Sequence, residues 1–112
     1  MEKMIQIGIL YQYYKDLLSD KQSEAIEQYY LEDLSLTEIA ELEGVSKQAI
    51  STNIKRAERL LLDYEDKLGL YKRNKELVGE LDKLKDLLKD HTNEEGRDLL
   101  VKQVDLLISK LN

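Results

Sequence analysis

The sequence contains no cysteine, no proline, no phenylalanine and no tryptophan. Because it lacks cysteine, it can form neither a disulfide framework nor a thiolate metal site, which is consistent with a reducing cytoplasm. No apolar run approaches the roughly 20 residues that cross a bilayer, so we expect no direct membrane insertion. The initial stretch MEKMIQIGILYQYY also lacks the small-residue cleavage site of a signal peptide. These absences together predict a cytoplasmic protein.

Residues that carry enzyme chemistry are equally scarce. The single histidine, His91, lies in a polar stretch, HTNEEG, that we expect to separate two helices and to be exposed to solvent. The sequence has no glycine-rich phosphate loop, no nucleophile motif and no cluster of carboxylates and histidine at metal spacing. We therefore predict a protein that is not an enzyme and that holds no cofactor and no metal.

Leucine, glutamate, lysine and aspartate dominate the 112 residues, and there are only five glycines. This composition, without a single proline to interrupt helices, predicts an all-α fold. Apolar spacing and capping signals place helices near 3–18, 20–32, 36–43, 46–68, 71–90 and 94–111, with boundary errors of about 2–4 residues.

Two capped helices joined by a short turn lie in the middle of the chain, in SLTEIAELEGVSKQAISTNIKRAERLL. Ser35 begins the first helix, Glu38 completes its capping box, and Gly44 supplies the left-handed stop. Ser46 then caps the second helix. This order predicts a helix-turn-helix with its turn near 43–45 and its recognition helix over 46–61, the element that commonly enters a DNA major groove. We expect a helix-turn-helix domain over 1–68 and a C-terminal helical extension or hairpin over 69–112.

The recognition helix has two different faces when it is wound at about 100° per residue. One narrow arc is apolar and should pack on the preceding helices; it holds Ile50, Ile54, Ala57 and Leu61. The opposite arc is polar and cationic, and glutamine, lysine, serine and threonine are side chains that contact base edges or phosphates. We therefore predict these nucleic-acid-binding residues: Ser46, Lys47, Gln48, Ser51, Thr52, Lys55, Arg56 and Arg59.

The distribution of charge argues against a strong DNA binder. The whole chain is net -6, whereas free-standing DNA-binding domains are usually basic. Between residues 46 and 59 the four cations outnumber a single anion, Glu58, so that this segment is net +3. Residues 1–34 are net -4, residues 35–70 are net -2, and residues 71–112 carry nine cations and nine anions. We therefore expect weak nonspecific affinity at physiological salt, binding as a dimer, or use of the module against protein.

The remaining segments predict packing and assembly. Five of the seven tyrosines lie in the first two expected helices, at a spacing that favours core or interface positions over base stacking. The first helix has an apolar band wide enough for contacts on two sides. Two apolar stripes flank the polar break, at residues 77, 81, 84 and 88 and at residues 100, 104, 107 or 108, and 111. They predict an antiparallel hairpin whose stripes bury each other or a partner chain. We expect a homodimer built from the first helix and this C-terminal region.

The motif residues of this sequence resemble those of two related groups of proteins. Residues 18–61 resemble the region-4 module of bacterial sigma factors, a four-helix unit that reads promoter DNA. The closer resemblance is to the small YlxM-like proteins, which begin with a tyrosine-rich helix and carry KQ…YYL…D.SL.EIAE…VS.QA…NIKR.E. The matching positions are Lys21, Gln22, 29–31, Asp33, Ser35, Leu36, 38–41, Val45, Ser46, Gln48, Ala49, 53–56 and Glu58. The resemblance implies a helix-turn-helix protein linked, largely by genomic association, to the signal recognition particle pathway.

Two functions remain open at this point. The first is a DNA-binding regulator of transcription whose recognition helix reads a major groove. The second is an accessory factor that binds signal recognition particle RNA, or the GTPase protein of that particle, with the same fold. A-form RNA has a deep, narrow major groove that would exclude the helix, so RNA binding would use phosphates, loops or other faces.

Overall fold

A computed structural model describes residues 2–91 and 93–111, and these residues form helices without any strand. The all-α prediction is therefore confirmed. The α-helices are α1 (Glu2–Tyr14), α2 (Asp20–Ile26), α3 (Leu36–Glu43), α4 (Lys47–Leu68), α5 (Leu70–His91) and α6 (Glu94–Leu111). Within the described residues no helix is both long enough and apolar enough to cross a membrane. The same residues contain no group of histidine and carboxylate side chains that could hold a metal ion.

Local capping explains where the central helices begin and end. Ser35 Oγ accepts the backbone N–H of Glu38 at 3.1 Å, and the Glu38 carboxylate accepts the backbone N–H of Ser35 at 3.1 Å. Gly44 ends α3 in the left-handed conformation, with φ of 68°, which glycine adopts without a steric cost. Ser46 Oγ then accepts the backbone N–H of Ala49 at 3.0 Å and begins α4. The predicted helix, turn and helix are confirmed.

Two segments differ from the predicted helices. The first helix was expected to reach residue 18, but α1 ends at Tyr14 and a single 3₁₀ turn, Lys15–Leu17, follows it. The second helix continues beyond α2 as a π-helical segment, Glu27–Leu31, in which the N–H of Glu32 bonds to the carbonyl of Glu27 at 2.8 Å. Such turns depend on tertiary packing as well as local propensity, so apolar periodicity does not predict them.

The chain divides into two compact units, residues 1–71 and residues 72–112. Unit 1 is built around α4, which packs against α1, α2 and α3. Two apolar clusters fill it. The cluster that joins α1 to α4 holds Ile7, Leu10, Tyr11, Tyr14, Leu18, Ile26, Ala57 and Leu61. The cluster beneath the helix-turn-helix holds Ala25, Ile39, Ala40, Ile50 and Ile54.

Tyrosines complete the core of unit 1 by pairing with carboxylates far away in sequence. The Tyr11 hydroxyl donates to Glu27 at 2.6 Å, and the Tyr14 hydroxyl donates to Glu65 at 2.6 Å. The Tyr30 hydroxyl donates to Glu58 of α4. Tyr11 and Tyr14 are buried, which confirms a core position for these two tyrosines. Each ring therefore fills apolar space while its hydroxyl remains hydrogen-bonded.

We expect the Tyr30→Phe variant to lose about 1–3 kcal/mol of unfolding free energy, because the nearly buried Glu58 carboxylate loses a donor. Burial, and then the hydrogen bond to Glu58, raise the pKa of Tyr30 above its ordinary value of 10.0. A raised pKa in the folded state means that this stabilisation is present below pH 10.0 and is lost as the pH rises further. Urea unfolding, followed by circular dichroism from neutral pH to above pH 10.0, should show a shallower alkaline loss in Tyr30→Phe than in wild type.

The matched control is Tyr29→Phe, which removes the neighbouring hydroxyl from the same π-helical segment. Equal unfolding free energies and equal alkaline slopes in the two variants would contradict the role of the pair between Tyr30 and Glu58.

Unit 2 is a helical hairpin, as predicted. The Asn74 side chain donates to the carbonyl of Leu111 at 3.3 Å, and the Arg97 guanidinium donates to the carbonyl of Lys89 at 2.9 Å. The start of α5 is therefore bonded to the end of α6, and the end of α5 to the start of α6. The two helices are antiparallel. The backbone of His91 forms the last residue of α5 instead of lying in the predicted break, and its side chain lies outside the described residues.

Candidate nucleic-acid interface

Helix α4 is seated on unit 1 through one face and leaves the other exposed. The predicted apolar arc is buried: Ile50, Ile54, Ala57 and Leu61 are all 6% exposed or less. The opposite side chains, including Gln48, Thr52 and Lys55, are exposed. The two faces therefore follow from a 3.6-residue period in the sequence. The predicted recognition helix, 46–61, forms the first part of a 22-residue helix that continues to Leu68.

Five of the eight predicted site residues line one shallow depression of about 390 Å³ on this exposed face: Lys47, Gln48, Ser51, Thr52 and Lys55. Leu36, at the start of α3, forms the remaining wall. Ser51 is partly buried in this depression, whereas the other four are exposed. The depression therefore combines two ammonium groups, two hydroxyls and one carboxamide beside an apolar side chain. These groups can donate to phosphates and hydrogen-bond to base edges.

The other three predicted residues lie outside the depression. Ser46 uses its oxygen as the cap acceptor for α4, so its hydroxyl hydrogen is what it can offer to a phosphate. Arg56 is exposed and follows Asn53 by three residues, on the flank where Asn53 Nδ2 donates to the Lys21 carbonyl at 3.4 Å. Arg59 lies roughly 17 Å along the axis from Gln48, at about 1.5 Å per residue.

That spacing limits what Arg59 can contact. A B-DNA major groove is about 12 Å wide, so a helix end roughly 17 Å from the first reading residue reaches the flanking backbone. Arg59 is exposed, and its long side chain carries a charge that suits a phosphate. The position of Arg59 therefore favours a contact with a phosphate over a contact with a base.

Glu58, the one anion counted in this segment, faces the core. It is 9% exposed, accepts the Tyr30 hydroxyl, and pairs with Lys3 Nζ at 3.1 Å. Sequence reasoning missed Lys3 and Tyr30 as neighbours of the site, because they lie 55 and 28 residues away from Glu58. The exposed side of residues 46–59 therefore carries all four cations of this segment, whereas Glu58, the anion that lowers the net charge of the segment to +3, lies on the buried side.

The opposite flank of α4 has a different character. Another cavity, of about 240 Å³, lies between α2, the turn and α4, and it is lined by Glu24, Glu43, Lys21 and Asn53 together with apolar residues. A hydrogen bond with Glu43, and then its negative charge, raise the pKa of Glu24. Two carboxylates this close repel phosphate. A polyanion can therefore approach α4 more favourably from the Leu36 side than from the α2 side.

The chain matches the sequence model of a known family over residues 1–101. That family is UPF0122, described as "Putative helix-turn-helix protein, YlxM / p13 like". The match covers all of unit 1 and most of the hairpin, and it agrees with the predicted resemblance.

Individual members of this family are similar over most of their length. A UPF0122 protein of Bacillus mycoides (strain KBAB4) is 45% identical over 114 aligned residues, which cover 100% of this chain and 99% of that protein. A UPF0122 protein of Oceanobacillus iheyensis is 46% identical, over 84% of this chain and 90% of the relative. A UPF0122 protein of Clostridium novyi (strain NT) is 53% identical, over 70% of this chain and 68% of the relative.

Proposed function

Because the chain belongs to the UPF0122 family of YlxM/p13-like helix-turn-helix proteins, we propose that it is a cytoplasmic regulatory protein that binds double-stranded DNA. The observation that carries this proposal is the depression on the exposed face of α4, where Lys47, Gln48, Ser51, Thr52 and Lys55 converge. A capped helix that presents cations and hydrogen-bonding side chains on its exposed face is suited to a major groove.

The side chains divide by reach into two roles. Gln48, Thr52 and Lys55 lie on the most exposed arc near the start of α4 and would face base edges. Ser46, Arg56 and Arg59 lie nearer the backbone of the duplex and would contact phosphates. Lys47 and Ser51 line the depression between these groups and the start of α3. Phosphate contacts would set the register, and base contacts would set the sequence preference.

The alternative is an accessory factor of the signal recognition particle pathway that binds the particle's RNA or its GTPase protein. The net charge of -6 favours the GTPase partner within this alternative, because it weakens nonspecific attraction to DNA and RNA alike. The positive charge of α4 is local, and a protein partner with an acidic surface could use it as well as a duplex could. The experiment must therefore offer all three partners.

Binding of the purified protein to random duplex DNA, to the particle RNA and to the particle GTPase, each over a salt series, separates the two functions. The DNA proposal expects duplex binding near 50 mM salt with a negative slope of log affinity against log salt. Absence of duplex binding at that salt, together with binding to the RNA or the GTPase, would replace it with the accessory function.

Single substitutions on α4 test the proposed roles. We expect Lys55→Ala or Gln48→Ala to lose roughly 1–3 kcal/mol of preference for the correct sequence, because each removes a base contact. Arg59→Ala should weaken binding to all duplexes similarly and flatten the salt slope by about one unit. Fluorescence anisotropy with specific and random duplexes measures both quantities.

The matched control is Lys67→Ala, which removes an exposed cation from the last turn of the same helix. We expect it to leave sequence preference unchanged. If Lys55→Ala and Gln48→Ala behave like Lys67→Ala, α4 does not read bases through this face.

We also infer that the protein acts as a homodimer, because helix-turn-helix dimers place two recognition helices on half-sites about 34–36 Å apart. The predicted contribution of the first helix needs revision. Ile7, Leu10, Tyr11 and Tyr14 of α1 are buried inside unit 1, and the large apolar side chains that remain exposed near its start are Met4 and Ile5. The dimer surface must therefore be sought mainly in unit 2.

A further inference from the structure

The hairpin of unit 2 buries only half of each apolar stripe. In α5, Leu81 and Leu88 are partly buried, whereas Leu77 and Leu84 are 43% and 46% exposed. In α6, Val104 is buried and Leu111 partly buried, whereas Leu100 and Leu107 are 41% and 40% exposed. Each helix therefore has an inner row that its neighbour covers and an outer row, Leu77 and Leu84 or Leu100 and Leu107, that remains uncovered.

The two outer rows lie on the same side of the hairpin. At about 100° per residue, residues seven apart such as Leu77 and Leu84 fall within about 20° of each other, as do Leu100 and Leu107. When the two antiparallel helices are projected down their axes with their inner rows facing each other, these four leucines fall on the same side of the hairpin. The ion pair between Lys85 and Asp105, at 2.9 Å, belongs to the other side. That side also carries these charged residues: Lys75, Asp82, Asp86, Asp98 and Lys102. The hairpin therefore has an apolar face, made of these four leucines and bordered by Glu80 and Gln103, and an opposite face that is charged.

We propose that this apolar face, Leu77, Leu84, Leu100 and Leu107, binds the same face of a second copy of the chain, so that two hairpins form a four-helix bundle. The inference deepens the homodimer of the proposed function by naming its surface, and it rests on that homodimer. Two identical faces related by a two-fold axis make a self-complementary interface. Left-handed packing of heptad-spaced leucines suits such a bundle.

Charge favours a second copy as the occupant. Residues 72–112 carry nine cations and nine anions and are neutral, whereas residues 1–71 carry eight cations and 14 anions and are net -6. Two hairpins can therefore approach each other without net repulsion. Two copies of unit 1 would instead bring together two acidic surfaces. Dimerisation through the hairpins therefore uses the electrically neutral part of the chain.

Size also favours dimerisation. Among the described residues of unit 2, Val104 is the single buried side chain, at 5% exposure, and domains near 40 residues usually need a partner, a metal or disulfides. A face of two helices about 30 Å long and about 20 Å wide offers roughly 600 Å² in projection, close to the roughly 800 Å² per partner of a stable complex. Leu87, which is also exposed, lies about 70° around α5 from the row of Leu77 and Leu84 and can enlarge this face.

Sedimentation equilibrium of the full chain without DNA tests the proposal, from low to high micromolar concentration. Wild type should be a dimer, and the variant Leu84→Glu with Leu107→Glu should dissociate with a dimer Kd raised on the order of 1000-fold. The control is Leu42→Glu with Leu62→Glu, which introduces the same charges at two exposed leucines of unit 1 and should dimerise like wild type. A milder pair, Leu84→Ala with Leu107→Ala, should give an intermediate Kd.

Folding of the hairpin is checked by far-ultraviolet circular dichroism, whose helical signal should be unchanged in a variant that has lost only the dimer. The near-ultraviolet signal of the tyrosines, which all lie in residues 1–71, reports unit 1 alone. A monomeric wild type at high micromolar concentration, or a Leu84→Glu and Leu107→Glu variant that dimerises like wild type, would overturn the inference. A monomer that still binds duplex DNA would overturn the inference alone, and a dimer without DNA binding would overturn the proposed function alone.

Discussion

Replacing Leu61 with alanine should lower the free energy of unfolding of unit 1 by about 2–5 kcal/mol. Leu61 is fully buried and lies in the cluster that joins α1 to α4, beside Ile7, Leu10 and Ala57. The shorter side chain would leave a cavity between two helices that the hydrogen bond from Tyr14 to Glu65 also joins. Urea unfolding followed by the near-ultraviolet signal of the tyrosines, all of which lie in residues 1–71, measures the loss for this unit.

Leu62→Ala is the matched control, since it makes the same chemical change one residue further along α4. Leu62 is 40% exposed, so its truncation should cost less than about 1 kcal/mol. Equal losses for the two variants would mean that the α1–α4 cluster does not hold unit 1 together.

The sequence predicts most of the fold because most of its helices are specified locally. The capping boxes at Ser35 and Glu38, and at Ser19 and Gln22, are visible as residue types three positions apart, and the structure contains both. Gly44 marks the end of α3 for an equally local reason, because it adopts a left-handed φ. The 3₁₀ turn after Tyr14 and the π-helical segment after Ile26 carry no such local mark. They were therefore missed.

The candidate site divides in the same way. The exposed and buried faces of α4 follow from helical periodicity, so the positions of Gln48, Lys55 and Ile54 could be predicted. The burial of Glu58 could not, because a glutamate at the edge of the apolar arc looks like a solvated anion until its distant partners are known. Tyr30 and Lys3 satisfy that carboxylate, and helical periodicity contains no information about pairs so far apart in sequence.

The acidic character of the chain makes local charge the decisive variable for nucleic-acid binding. Unit 1 is net -6, yet the exposed side of α4 presents Lys47, Lys55, Arg56 and Arg59, while the carboxylate of Glu58 faces the core. Interactions between exposed charges fade beyond about 8 Å at physiological salt. A duplex in contact with α4 would therefore be affected mainly by the four cations and only weakly by acidic groups elsewhere on the surface.

Replacing these four cations of α4 together with glutamine should therefore remove duplex binding. Each neutralised phosphate contributes about 0.9 to the salt slope. Losing the phosphate contacts of Arg56 and Arg59, together with the charges of Lys47 and Lys55, should therefore flatten the slope by about 1.8–3.6 and reduce affinity near 50 mM salt on the order of 10²- to 10⁴-fold. Anisotropy titrations with a random duplex over a salt series measure both changes. The near-ultraviolet signal of the tyrosines should stay native, since all four side chains are exposed.

The control for this variant replaces four exposed cations of the hairpin with glutamine: Lys83, Lys89, Lys102 and Lys110. Both variants lower the net charge from -6 by four, to -10, so a difference between them reports position and not total charge. If α4 is the interface, the hairpin variant keeps a salt slope close to that of wild type. Equal losses in the two variants would instead mean that overall charge governs binding. Unchanged affinity in the α4 variant would show that this helix does not contact the duplex.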